Sequence, residues 1–458
     1  MDAKSPLLEE DSLEQDEVRL LEAAQPRRTS IDVEMAHSKS AYAIMLILGM
    51  GLLMPWNVIL NTLTYLNKEW TDQGHSSFEY EFRASLAYIY PQLPIVIAMV
   101  KWGNHVSYTK RITSTFVIQG LCLVLMPAVA KVSPWLVMML IFIIGVCTAV
   151  CQSSLFGFAS MFPPMFNQAL MAGQGVAGIA ASVLRIITKG SFGDKHLTGS
   201  AIVYFALAGV TLITCTILYV FLLRMAFAQY HLSAGAAPRS ALHSPSGPGQ
   251  PFRPLTDDAL MTPMSKAALI SAQESPTPEG GVSIISILQK IKLMCFVEFG
   301  IFFMTFAVFP GDIVDLEYKY SIKSSALNFM GRAGWFSVIQ FFVFNIFDTL
   351  GRSLPGACQI LSYTGVAVVT AFRFLLIPVY IACVRYETTS PFDNDVFVLV
   401  LMMVFALSNG YCSSLGMMYG PGKVARHERE TAGLILSVFL QGGICLGSTA
   451  ALGLKHFN

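Results

Sequence analysis

The chain has 458 residues, of which 54% are hydrophobic and only 13% charged, with a net charge of +1. A soluble domain carries roughly 25% charged residues, so this composition excludes a set of soluble domains and places the apolar surface in lipid. The net charge says nothing about nucleic acid, and no basic tract suggests it as a partner.

Residues 1–40 form a polar, acidic tail with no signal-peptide pattern, expected on the cytoplasmic side. Within it, DEVRLLE sets Asp16 four residues before Leu20 and Leu21, the acidic dileucine spacing that sorting adaptors read. Runs of ~20 apolar residues, enough to cross the hydrocarbon core, then fall near 41–66, 84–103, 112–131, 135–158, 168–188 and 201–227. A polar segment at 228–289 contains SPSGPGQPFRP and ESPTPEGG and reads as a disordered linker. Five more runs follow, near 291–310, 330–351, 358–384, 396–420 and 431–454. The chain is therefore expected to be an all-α polytopic membrane protein with eleven transmembrane helices. A six-helix bundle (41–227) and a five-helix bundle (290–458) would be joined by a cytoplasmic loop. With the N-terminus inside, 18 Lys and Arg fall on the inner side and 10 on the outer, leaving out Arg185 and Arg373 within spans. That bias is the positive-inside pattern. Two bundles joined in this way suggest an alternating-access transporter with its site at mid-membrane between them, with a channel or a receptor as the alternatives at this point.

Charge inside the spans is the informative feature, because it costs at least ~2.5–3.5 kcal/mol at the bilayer centre. FNIFDTLGRSL sets Asp348 and Arg352 four residues apart, on one helix face. The pair is either a salt bridge that orders a helix end or a polar clamp for a hydroxyl-rich substrate. Asn345 and Phe341 continue the same stripe. In GLLMPWNVIL, Pro55 kinks the first span, Trp56 offers a flat apolar face and Asn57 a donor and an acceptor. That segment is either a kink with an interfacial Trp or a pair of substrate contacts. Gln152 and Gln174 are span amides that serve as interhelical glue or as substrate contacts. The spacing of Gly173, Gly175 and Gly178 allows close packing or a moving interface. Arg185 and Arg373 need partners that the sequence does not name. Glu298 lies near Lys290 and Lys292, and reads as an inner-leaflet ion pair or a proton site. The nine cysteines read as small hydrophobes. No catalytic constellation, metal site or cofactor motif stands out.

Taken together, GLLMPWN, QSSLFG, AGQGVAG, FNIFDTLGRSL, ALSNGY, YGPGKV and ETAGLI resemble the equilibrative nucleoside transporter family, in the right order and over most of 40–458. The resemblance implies an eleven-helix, major-facilitator-like fold and facilitated diffusion of nucleosides, in some members also nucleobases. It implies that Trp56 and Gln92 border the nucleobase region, with Gln92 standing where the pattern often has Met. Gln152 would hydrogen-bond the base, and Phe341 and Ile444 would line the cavity. Asn345, Asp348 and Arg352 would engage the ribose or control closure around it. Arg185, in SVLRIITK, resembles the plant, protist and cation-transporting branches. The cation-transporting branch carries Glu where this chain has Gln174, and the neutral amide favours a neutral substrate. Gln174, Arg185 and Glu298 are thus candidates for gating or specificity. The alternative is a proton-coupled nucleoside or organic-cation transporter of the same fold. The expected membrane is the plasma membrane, the alternative an endolysosomal or vacuolar one.

Overall fold

The computed structural model describes residues 28–72, 78, 80–192, 197–236, 283–308, 335–385 and 395–457. Asp16, Leu20, Leu21 and most of the polar segment lie outside the described residues. Every regular element among the described residues is helical.

Helix α1 (Arg28–Thr71) carries Pro55 inside it. Helices α2 (Tyr80–Ile89) and α3 (Gln92–Trp102) share the second expected span. They part at Tyr90 and Pro91, where the proline has no N–H to continue the ladder. Helices α4 (Tyr108–Ala130) and α5 (Pro134–Ser160) follow. Ser133 caps α5 by accepting from the Trp135 N–H, with Pro134 in the first turn. Helices α6 (Pro164–Phe192), α7 (Leu197–Arg224) and α8 (Ala226–Ala236) complete the first half. The second half holds α9 (Ile284–Val308), α10 (Trp335–Ala357), α11 (Tyr363–Arg373), α12 (Leu376–Arg385), α13 (Asp395–Gly422) and α14 (Arg429–Phe457). The polar segment expected over 228–289 thus overlaps helix at both edges, since α8 runs to Ala236 and α9 starts at Ile284.

Ten helices among the described residues are long and apolar enough to cross a membrane. Helix α10 occupies the eighth expected position but is not one of the ten. Gln340, Asn345, Asp348 and Arg352 dilute its apolar run. The apolar surface points outward as lipid requires: Val210, Ile213, Ile217 and Phe221 are exposed along one stripe of α7.

Each half packs on itself. Helix α1 lies against α6 and α7, and α4 against α5 and α7. Helix α9 lies against α13 and α14, and α10 against α13. The halves meet along α6 with α10 and α13, and along α14 with α3 and α5. Glycines permit the closest crossings, as in other helical membrane proteins. A Cβ on Gly49 of α1 would strike the Leu170 carbonyl, and one on Gly173 of α6 would strike that of Leu46.

Candidate functional site

A buried polar chain runs across the line where the halves meet. Asp348 and Arg352, one turn apart on α10, are 4% and 6% exposed. Arg352 Nε donates to Asp348 Oδ2 at 2.6 Å. The second carboxylate oxygen, Oδ1, accepts from Asn409 Nδ2 of α13 at 2.7 Å. Asn409 Oδ1 in turn accepts from Thr305 Oγ1 of α9 at 2.7 Å. On the other side, Arg352 Nη1 donates to Gln174 Oε1 of α6 at 3.2 Å and approaches the Met171 carbonyl at 3.5 Å. One ion pair therefore ties three helices of the second half to one of the first. Burial of such a pair is costly unless its remaining hydrogen-bonding capacity is met; here Asn409 serves the second carboxylate oxygen and Gln174 accepts from Nη1.

The seam continues along α6. Asn345 Nδ2 donates to Ser182 Oγ at 2.9 Å. A Cβ on Gly178 would overlap the Asn345 amide, and one on Gly175 would overlap Thr349. The glycine spacing in AGQGVAG is thus used for packing on two sides, Gly173 against α1 and the other two against α10. Toward the start of α6, Gln168 Nε2 donates to the Arg352 carbonyl at 2.9 Å and Gln168 Oε1 accepts from Tyr42 Oη at 2.8 Å. Asn167 Nδ2 donates to the Met417 carbonyl at 3.2 Å. Tyr108 Oη donates to Glu430 Oε1 at 2.5 Å, and Gly433 of α14 lies against the Phe156 carbonyl and Ser160. These contacts join the two halves near the starts of α4, α6 and α14.

The predicted base-side residues form a separate group on the first half. Trp56 stacks on Tyr88, with ring centroids 4.2 Å apart and planes 12° from parallel. Gln92 is buried, and its Nε2 donates to the Tyr88 carbonyl at 2.9 Å. Gln152 is buried on α5 one turn after Thr148, which accepts from the Tyr88 hydroxyl. Asn57 spends its amide donor on the Leu53 carbonyl of its own helix at 3.0 Å. Leu53, Trp56, Asn57, Leu60 and Asn61 are all half-exposed along α1. Phe341 packs with the cluster of Met304, Tyr380 and Phe405, and Ile444 is half-buried against the main core.

Other sequence candidates take different places. Arg185 is half-buried toward the end of α6. Arg373 Nη2 donates to the Phe405 carbonyl at 3.1 Å, with its guanidinium 5.2 Å from the Phe405 ring centroid. The ion pair expected between Glu298 and Lys290 or Lys292 does not form. Lys290 pairs with Glu428 at 2.8 Å, and Lys292 is exposed. Glu298 is fully buried against Gly416 of α13, and neither carboxylate oxygen has a hydrogen-bond partner among the described residues. The reason is helical phase. Lys290 lies roughly 12 Å back along the axis, and Lys292 points away from the face that Glu298 presents to α13. Sequence reasoning missed Tyr88, Thr305, Asn409, Gln168 and Ser182. A buried amide in ALSNGY and a tyrosine beside the break in the second span were the only local signals.

The chain is similar to several characterised proteins over nearly its whole length. It is 28% identical to equilibrative nucleoside transporter 1 of Homo sapiens, covering 90% of this chain and 95% of that one. It is 27% identical to equilibrative nucleoside transporter 2 of Homo sapiens, covering 89% and 95%. It is 26% identical to equilibrative nucleotide transporter 8 of Arabidopsis thaliana, covering 89% and 93%. Among solved structures, the major facilitator superfamily transporter FucP aligns at 12% identity with a TM-score of 0.48, over 91% of each chain. The human organic anion transporter MFSD10 (TETRAN) aligns at 13% identity with a TM-score of 0.49, over 91% and 93%. The nucleoside transporter family model matches residues 138–456, well over half of the chain, and the protein belongs to that family.

Proposed function

We propose that this protein is a facilitative carrier of nucleosides that works by alternating access between its two halves, with α10 counted as the eighth of eleven crossings. The observation that carries the reading is the Asp348–Arg352 pair, buried where the halves meet and bonded to both. A nucleoside is uncharged, flat and apolar at one end and rich in hydroxyls at the other. Trp56, with Gln152 nearby on the first half, suits the base; Asp348, Arg352 and Asn345 suit the sugar. The carboxylate accepts from hydroxyls, and the guanidinium donates in a fixed fork. Phe341 and Ile444 supply apolar lining. Gln174 supports a neutral substrate, since an amide rather than a carboxylate faces Arg352 there.

The same bonds supply a coupling mechanism. Sugar hydroxyls that engage Arg352 compete with Gln174 Oε1 and the Met171 carbonyl. Binding therefore loosens the contact between α6 and α10, and the halves rock about the site. No bond in the substrate is made or broken, so the solute gradient drives net flux. The carrier acts at the plasma membrane, and Asp16, Leu20 and Leu21 supply an adaptor signal for internal membranes.

The test is uptake of labelled adenosine and uridine into proteoliposomes of the purified protein, at matched pH and then with an inward proton gradient. Saturable uptake that is indifferent to the gradient is expected. Stimulation by the gradient would replace the facilitative reading with a coupled one. Absence of uptake of both would overturn the substrate class.

A further inference from the structure

The geometry points to Tyr88 as a positioning residue for base recognition: it backs the Trp56 indole and fixes the plane on which a nucleobase stacks. The inference rests on the proposed function, since it gives Trp56 the base. Tyr88 is 5% exposed, whereas Trp56 is half-buried. One face of the indole is therefore covered by the tyrosine ring, in a near-parallel stack at 4.2 Å. Aromatic pairs of this offset-stacked kind hold each other's orientation beyond what area burial does.

Tyr88 is itself fixed from three directions. Its hydroxyl donates to Thr148 Oγ1 at 3.3 Å, and Thr148 is anchored to the Ile144 carbonyl at 2.8 Å. Its carbonyl accepts from Gln92 Nε2 at 2.9 Å. Its backbone lies on Gly145 of α5, where an added Cβ would come within 2.6 Å of the Tyr88 carbonyl oxygen. A side chain held this firmly transmits the register of α5 to the indole. It also gives Gln92 a role different from base contact: the amide braces the tyrosine next to the helix break. Stacking strength grows with ring overlap, so the platform favours the larger bicyclic purine over the pyrimidine.

The experiment measures KM and Vmax for adenosine and uridine in proteoliposomes of the full chain, for wild type, Y88F and Y88L. Near-ultraviolet circular dichroism is recorded on the same preparations. Y88L is expected to raise the adenosine KM about tenfold and the uridine KM about threefold, with Vmax near wild type. Y88F keeps the ring and is expected to restore both KM values to within about twofold. The dichroism feature of the tryptophan–tyrosine stack should be present in wild type and Y88F and missing in Y88L. Unchanged KM for both nucleosides in Y88L, or a loss confined to Vmax and equal for both, would overturn the assignment and leave Tyr88 a core residue. Uptake of neither nucleoside by the wild type would remove the functional reading and the base platform with it.

Discussion

Asp348→Asn is the most informative single change. The amide keeps the shape and still accepts from Asn409, but the charge that balances Arg352 is gone. Both side chains are almost wholly buried, 6% exposed for Asp348 and 7% for Arg352, so water does not compensate. Removing one partner of such a pair costs about 3–5 kcal/mol, a large share of a typical stability of about 5–15 kcal/mol. Arg352 would keep only neutral acceptors, Gln174 Oε1 and the Met171 carbonyl. D348N should therefore melt several degrees lower in detergent and lose most uptake per molecule. Arg352→Met leaves the carboxylate with one hydrogen bond, from Asn409, and should do the same. The double variant D348N/R352M removes both members of the pair, so at least half of the lost stability should return, because residues in contact are not additive. Uptake should not return, since the sugar-binding groups are absent. This cycle separates the two readings of the pair. A salt bridge that only orders a helix end predicts that the double variant recovers transport together with stability. That recovery, or wild-type uptake by both single variants, would refute the reasoning.

Three further outcomes follow from the seam and the core. Gly178→Leu drives a side chain into the Asn345 amide; overpacking of about 1–3 kcal/mol against this packing of α6 on α10 should cut uptake at least fivefold without loss of folded protein by gel filtration. Gln168→Leu removes the bonds to Tyr42 and to the Arg352 carbonyl, about 1–3 kcal/mol of the contact between the halves at the start of α6. An S160C variant carrying Q168L should then react faster with an impermeant thiol reagent from the cytoplasmic side than S160C alone, and equal rates would count against a role for Gln168 in holding the halves together on that side. Glu298→Met replaces a buried carboxyl without hydrogen-bond partners by an apolar chain of similar size. It should raise the melting temperature, since the desolvation cost of the acid disappears; a lower one would mean that the carboxyl is satisfied in solution.

Much of the fold was legible because lipid imposes it. A span must be a helix about 20 residues long, so the apolar runs located most of the helices to within a few residues, although α1 begins at Arg28, well before the run expected from 41, and α9 at Ile284, before the run expected from 291. The breaks inside the second and ninth spans were less visible. The first sits at Tyr90 and Pro91 and the second at Phe374 and Leu375, between α11 and α12 and one turn before Pro378, and hydropathy does not register a lost N–H. Helix α10 shows the opposite problem. Its polar residues weaken the apolar signal because they face the other half rather than lipid, so the segment of greatest functional interest reads as the poorest span. The edges of the polar segment were placed by hydropathy, and HLSAGA and SIISILQK extend helix past the apolar runs as far as Ala236 on one side and back to Ile284 on the other.

At the site, legibility stopped at one helix turn. Asp348 and Arg352 are four apart, and geometry alone puts them on one face. Each of their other bonds joins residues far apart in the chain: Arg352 to Gln174, Asp348 to Asn409, and Asn409 to Thr305. Nothing local in ALSNGY tells whether Asn409 serves lipid-buried backbone, a substrate or a carboxylate. The same limit produced the one misplaced pair. Lys290 is close to Glu298 in sequence, but their side chains leave the helix at different heights and phases, and the lysine finds Glu428 across a loop. A buried polar side chain in a span announces that a partner exists, because the cost of leaving it unpaired is high, but identifies that partner only when it lies on the same helix face. Glu298 carries this argument one step further. Neither of its carboxylate oxygens has a hydrogen-bond partner among the described residues, so the cost of its burial is not recovered by hydrogen bonds within this packing of α9 on α13. The E298M melting experiment asks whether the structure bears that cost or another arrangement of the helices relieves it.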